Sequence, residues 1–311
     1  MQNTTEMATA DESSLHGYAR FIVLCAARTG SYMLTSSLNS SPDIICFGEV
    51  FNALTKHVDY RVDGYKMFDP DERAFRDKDF KQFLDTRIYC ERPNEIHAVG
   101  FKLPHSHFSQ YRPRLHRSMS ALPPQAEEKL LEWLVAEVDI RVLHLRRRNP
   151  LRRMVSTYIA RETGGWLEPP APTLARARNP TAVLTAIRHP RRAVRSLRRL
   201  LFPKEPAWKS SRTAIELTED ECREFFAKDV LDTAHYDELF SEHDIHTLYY
   251  EDLVDHYDAT LESVQTVLGL DPRPLAPATR KQNPEPLQEL IANYDELYEA
   301  FRGTPEEAYF E

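Results

Sequence analysis

Five short runs of β-branched and aromatic residues recur along the chain, at "RFIVLCA" (20–26), "DIICF" (43–47), "IHAVGFK" (96–102), "RVLHL" (141–145) and "IHTLYY" (245–250), each bounded by turn or charged residues. Runs this short and this apolar read as buried strands. Between them lie stretches of helical periodicity, over about 31–40, 71–86, 125–137, 151–161, 218–241, 257–267 and 286–301. A strand that alternates with a helix needs a crossover to reach a parallel neighbour. The pattern therefore predicts an α/β fold of three layers, a central parallel sheet covered by helices on both faces. Two helices carry start signals: Thr218 with Glu221 three residues later makes a capping box, and Pro150 suits the first turn after "RRRN".

One domain over 19–311 is expected, behind a disordered tail over 1–18. Hydrophobic residues are 41% of 311, enough to bury a sizeable core. The opening "MQNTTEMATADESS" is polar and acidic without an apolar centre, which fits neither a signal peptide nor an anchor. No run approaches the roughly 20 apolar residues of a membrane span, so a cytoplasmic location is expected. The segment 163–212 departs from the alternation. It holds "EPPAP" and then "RHPRRAVRSLRRL", and reads as an Arg/Pro-rich insertion or lid. The net charge of −8 argues against a general nucleic-acid binder, so any basic site must be local. Cys25, Cys46, Cys90 and Cys222 form no CxxC pair and have no His at metal-ligand spacing, and they read as reduced, mostly buried thiols.

The turn after the first strand, "ARTGSY", gathers backbone amides and a positive helix end in one place, which suits an anion such as phosphate. It is not a Walker loop. The first glycine and the lysine of GxxxxGK are missing, and Arg28, Gly30 and Ser31 stand in their place as cation, close-approach residue and hydroxyl donor. Without the lysine and the metal-holding hydroxyl, the loop is expected to take an anion with no metal. A second basic motif follows a later strand. "VLHLRRRNPLRRMVSTY" puts Arg148 at a strand end and Ser156 eight residues on, about two turns into the next helix, where guanidinium and hydroxyl could share one phosphate. Two anion sites at the carboxyl ends of parallel strands imply a ligand with two phosphate groups.

With "RTGS" after the first strand, "GEVFN" after the second and Arg148 to Ser156 after a central one, the chain resembles the sulfotransferases that use 3′-phosphoadenylyl sulfate (PAPS). It is most similar to the bacterial carbohydrate group that includes trehalose and nodulation-factor sulfotransferases. The likeness covers roughly 20–162 and 243–304, with "YYEDL", "LGL" and "NYDEL". It implies a P-loop-like fold and transfer of a sulfuryl group from PAPS to a hydroxyl of a carbohydrate or glycoconjugate, leaving adenosine 3′,5′-bisphosphate (PAP). By position, Arg28, Thr29, Gly30, Ser31 and Tyr32 of the loop would bind the 5′-phosphosulfate, and Arg148 with Ser156 the 3′-phosphate. Tyr250 would approach the adenine, and Arg280 with Lys281 in "TRKQN" would close over the nucleotide. One departure is a second copy of the motif, "IRHPRRAVRSL", in which Arg188 and Ser196 are also eight apart. The first copy is preferred, because "VLHL" is the better strand and follows an amphipathic helix directly.

Sulfuryl transfer needs a base for the acceptor hydroxyl. Glu49, after "DIICFG", is expected at the carboxyl edge of the sheet beside the Arg28 loop, and in the carbohydrate group a glutamate in such a "GE" motif acts as base. Its alternative role is a structural ion pair with Arg28 or a helix amide. His105 in "FKLPHSHF" is the rival, since sulfotransferases of small phenols and steroids use a histidine shortly after a lysine here, and His107 is a further candidate. Lys102 would help stabilise the sulfuryl group. Two other classes stay open on the residues alone: a P-loop kinase or other nucleotide-dependent transferase, and a non-enzymatic protein whose arginines hold a polyanion.

Overall fold

The computed structural model describes residues 17–52, 70–107, 124–163, 214–277 and 283–311. In chain order the elements are β1 (Ala19–Cys25), α1 (Ser31–Leu38), β2 (Ile44–Phe47), α2 (Pro70–Lys78), α3 (Phe80–Phe83), β3 (Ala98–Pro104), α4 (Pro124–Ala136), β4 (Arg141–Arg146) and α5 (Pro150–Thr163). They continue as α6 (Glu219–Leu239), β5 (Ile245–Tyr249), α7 (Tyr250–Asp255), α8 (Tyr257–Val267), α9 (Leu287–Leu290) and α10 (Tyr294–Phe301). Two compact units divide the chain, one of residues 1–148 with 227–277 and one of 149–226 with 278–311.

The first unit is built on a five-stranded sheet of order β2-β3-β1-β4-β5, parallel at every pairing. Alternation along the strands feeds both faces. Phe21, Val23 and Cys25 of β1 pack with Leu34 and Leu38 of α1 and with Leu261 and Val264 of α8. Ile22 and Leu24 point the other way, into a cluster with Phe83, Leu130 and Leu134 of the helices on the opposite face, and with Tyr236 and Phe240. Every side chain from Phe21 to Cys25 is fully buried, which is why "FIVLC" carries no polar residue. The three-layer α/β arrangement expected from the alternation of strand and helix is the one observed.

The second unit has its own core, formed by Leu151, Met154 and Val155 of α5, Leu217, Phe226, Leu297, Phe301 and Phe310. The Thr218 capping box forms as read. The Thr218 amide donates to Glu221 Oε2 at 2.9 Å, and the Glu221 amide donates back to Thr218 Oγ1 at 3.3 Å. Pro150 is the first residue of α5.

Two helical stretches are broken where the pattern suggested continuity. Asp79 leaves helical geometry at φ −148° and accepts the Gln82 amide at 2.9 Å, so 71–86 divides into α2 and a capped α3 that runs on into a π turn over Leu84–Ile88. Ile291 is extended because it bridges Ile215, whose carbonyl accepts the Ala292 amide at 2.7 Å; that bridge splits 286–301. The third strand starts and ends two residues later than expected, which puts Lys102 inside the ladder opposite Val23. All four cysteines are free thiols, with Cys25, Cys46 and Cys222 buried. Among the described residues no helix is long and apolar enough to cross a membrane. Residues 1–16 of the expected 1–18 tail, residues 164–212 of the insertion, and with them Arg188 and Ser196, lie outside the described residues.

Gly100 lies opposite Phe21 in the ladder, and a methyl group there would come to 2.5 Å from Phe21 Cδ2 and closer still to the Phe21 carbonyl oxygen. Gly100→Ala is expected to destabilise the fold by about 1–3 kcal/mol through overpacking. Urea denaturation should show a lower midpoint at unchanged slope.

Candidate active site

The carboxyl ends of the parallel strands share one edge of the first unit's sheet. β1 sends the chain toward β2 on one side and its neighbour β4 sends it toward β5 on the other, so a topological switch point lies between β1 and β4. The "ARTGSY" turn leaves β1 there, and "RRRN" leaves β4. The turn is narrow: Arg28 sits in the left-handed region at φ 65°, and Gly30, the N-cap of α1, sits there too at φ 82°. Only glycine fits the second position, since a Cβ would come to 3.0 Å from Cε2 of Tyr250 and closer to its Cδ2. Thr29 is buried and donates its hydroxyl to the Ala26 carbonyl at 2.9 Å, closing the turn. Its side chain shapes the loop rather than lining it. No side-chain oxygen caps α1 and its first turn holds no acidic residue, so the helix start presents Ser31 and Tyr32 with a positive end.

Arg147, which sequence reasoning passed over, reaches this turn. Its Nη1 donates to the Arg28 carbonyl at 3.2 Å, and its guanidinium lies 4.5 Å from the Tyr250 ring centroid. Burial, reinforced by the Arg147 charge, pushes the Arg28 guanidinium down to about 10, so Arg28 is still positive at neutral pH. Two like charges held together in a half-buried turn repel, and an anion placed between the turn and the helix start relieves that repulsion.

Arg148 leaves the same strand but is held differently. Its Nη1 and Nη2 form a fork on Asp252 at 2.7 and 2.8 Å, its amide donates to Glu251 at 3.0 Å, and its guanidinium lies 4.0 Å from the Tyr249 ring. The paired bond holds the Asp252 carboxyl below its usual range. "YYEDL" thus supplies the partners that orient both arginines, a role its sequence did not declare. Ser156, in the second unit, is buried and accepts from Asn283 Nδ2 at 3.1 Å. Arg280 and Lys281 lie outside the described residues.

Glu49 follows β2, and both its oxygens are engaged. Lys102 Nζ donates to Oε1 at 2.6 Å and Asn52 Nδ2 to Oε2 at 2.6 Å. Lys102 belongs to β3, the strand between β2 and β1, so Glu49 pairs with that lysine, where the sequence suggested Arg28 or a helix amide. Lys102 and Asn52 together orient the carboxylate. The Glu49 side chain is 23% exposed. His105, in contrast, is 5% exposed, stacked on Tyr236 at 4.2 Å and edge-on to His144 at 5.3 Å. His107 ends the short 3₁₀ turn that His105 begins, and its side chain lies outside the described residues. Among the described residues no group of His, Cys, Asp and Glu is arranged to hold a metal ion.

The fold is α/β, with the "ARTGSY" turn at the switch point of a parallel sheet. The sequence profile of the sulfotransferase family matches residues 20–274, and the chain belongs to that family. It is a sulfotransferase. A solved structure, that of the sulfotransferase from Alicyclobacillus acidocaldarius, is similar over 94% of this chain and 94% of that chain, at 16% sequence identity and a TM-score of 0.42. No curated protein matches the chain.

Beside the site lies a buried cluster that the sequence did not reveal. His144 on β4 faces the helix layer opposite α1, its Nδ1 lying 3.0 Å from Asp237 Oδ1 and 3.1 Å from Arg146 Nη2, and Arg146 also pairs with Asp237. Burial, then the Arg146 charge, drives the His144 imidazole down to about 4 against the pull of Asp237. Its Nε2 has no hydrogen-bond partner among the described residues. The folded state thus resists a proton that the unfolded chain accepts near 6.5. Stability from this group is complete above pH 6.5 and is lost as pH falls toward 4, by about 3 kcal/mol at the lower end. Thermal melts from pH 7 to pH 4.5 should show a steep fall in Tm, flattened in His144→Asn.

Proposed function

We propose that the enzyme transfers a sulfuryl group from PAPS to a hydroxyl of a carbohydrate or glycoconjugate. The observation that carries this reading is the loop charge. Two guanidiniums, Arg28 and Arg147, and an uncapped helix start meet at one narrow turn, where an NTPase would have a lysine and a metal-holding hydroxyl. Fixed cations of that kind suit an anionic leaving group. Arg28, the amides from Thr29 to Tyr32 and the helix end take the 5′-phosphosulfate. Arg148, oriented by Asp252, takes the 3′-phosphate, and Tyr250 sits at the adenine end of the donor.

The reaction is an in-line displacement. The acceptor oxygen forms a bond to sulfur while the bond from sulfur to the bridging phosphate oxygen breaks, and that oxygen leaves on PAP with the electron pair. Glu49 receives the acceptor's proton. Its carboxylate is oriented by Lys102 and Asn52 on a side chain that is half-buried, whereas the His105 ring is buried and packed between Tyr236 and His144. Lys102 steadies the sulfuryl group as it passes. The carbohydrate acceptor rests on the likeness of "GEVFN" and its glutamate to the carbohydrate group.

The donor is tested by thermal stabilisation. PAP at about 100 times its dissociation constant should add roughly 2.7 kcal/mol of stability, and AMP far less at the same concentration. Arg148→Ala should weaken PAP binding tenfold to a hundredfold, since a charge-assisted contact is lost, and Arg188→Ala should leave it unchanged. Stabilisation by ATP with Mg²⁺ in place of PAP would select a kinase instead.

The base is tested by Glu49→Gln, which keeps size and packing but cannot take the proton. Turnover should fall by roughly 10² to 10⁴-fold with PAP affinity held within threefold. Wild-type turnover in Glu49→Gln, with collapse in His105→Ala, would move the role to the histidine.

A further inference from the structure

Arg28 is the one described residue other than glycine with a positive φ, a conformation that a residue with a Cβ adopts only at a cost. Such a conformation persists only where the surroundings impose it. Three contacts around it form a chain across the switch point. The Arg147 guanidinium donates to the Arg28 carbonyl at 3.2 Å, the same guanidinium lies 4.5 Å from the Tyr250 ring centroid, and the Tyr250 ring lies against Gly30. Arg147 Nε stands 4.0 Å from Glu251 Oε1, and the side chain is only 9% exposed. The exits of β4 and β5 are thereby tied to the exit of β1. A guanidinium suits this place because it can present a flat face to the ring while an in-plane N–H donates to a carbonyl.

We propose that Arg147, held on Tyr250, is a positioning residue for sulfuryl transfer: it locks the Arg28–Gly30 turn in the conformation that receives the donor's 5′ end. The lock is a property of the ligand-free chain. Only the identity of the anion rests on the PAPS reading above. The turn's amides are aimed before the donor arrives, so binding does not have to order them. Without Arg147 the Arg28 carbonyl loses its donor and the repulsion that the second charge exerts on Arg28 disappears. The turn then samples other shapes.

The test has two arms. In the first, amide hydrogen exchange of the segment 26–35 is followed without ligand. Arg147→Ala and Tyr250→Leu should raise exchange at least fivefold. Tyr250→Phe, which keeps the ring, should match wild type, and Arg147→Lys, which keeps charge and a donor but not the planar face, should fall between. In the second arm, calorimetry compares PAP with adenosine 3′-monophosphate, which lacks the 5′ group. Arg147→Ala should weaken PAP tenfold or more and leave the monophosphate within twofold, a split that general destabilisation would not produce. Unchanged exchange in Arg147→Ala, or equal weakening of both nucleotides, would overturn the proposal. Should wild type bind no PAP, the donor reading fails and the exchange arm alone decides the lock. Should Arg147→Ala not fold, wild-type exchange in both Arg147→Lys and Tyr250→Leu overturns it.

Discussion

The site depends on one constraint, the burial of β1 on both faces between β3 and β4. A strand in that place cannot end gradually. Its last residue, Cys25, is fully buried, and α1 begins at Ser31, so five residues must reverse the chain and start a helix. The left-handed conformations of Arg28 and Gly30 are the means, and the turn gathers amides at the helix start as a consequence of its tightness. The shape of this turn therefore arises from packing before any ligand contact is considered.

The edge of the sheet separates two electrostatic arrangements. At the β1–β4 exits, Arg28 and Arg147 lie close enough for one charge to weaken the other, a state that an arriving anion improves. Across β3, Glu49 and Lys102 form an ion pair at 2.6 Å, with Asn52 on the second carboxylate oxygen. The transfer proposed above uses that division: excess positive charge where the phosphate would depart and an oriented carboxylate where the proton would be taken. Arg148 stands between these extremes, fully charged but already turned by its fork on Asp252. "YYEDL" serves both sides, through Tyr250 against Arg147 and Asp252 against Arg148.

Much of the fold was legible because its cues are local. "FIVLC" and "VLHL" are continuous apolar runs, and both are strands within a residue or two of the expected bounds. The Thr218–Glu221 box and Pro150 mark the starts of α6 and α5, since a cap needs only neighbours three residues apart. The residues at 257–267 form α8 over that same span. Where the pattern misled, a competing partner won. Asp79 capped a new helix in place of continuing the old one, and Ile291 took a bridge to Ile215, 76 residues away.

The sequence by itself determined the class of fold, the tight turn between the first strand and the first helix and the starts of α5 and α6, because strand alternation, turn chemistry and helix starts are set by near neighbours. Tertiary structure alone decided which of these residues meet. Glu49 and Lys102 are 53 positions apart, Arg147 and Arg28 are 119 apart, and His144 and Asp237 are 93 apart. Their contacts follow from strand order 2-3-1-4-5, which places β3 beside β2 and β4 beside β1. Nothing in a run of residues encodes that order locally. It emerges when both faces of the sheet must be covered at once, and the role of Arg147 emerges with it.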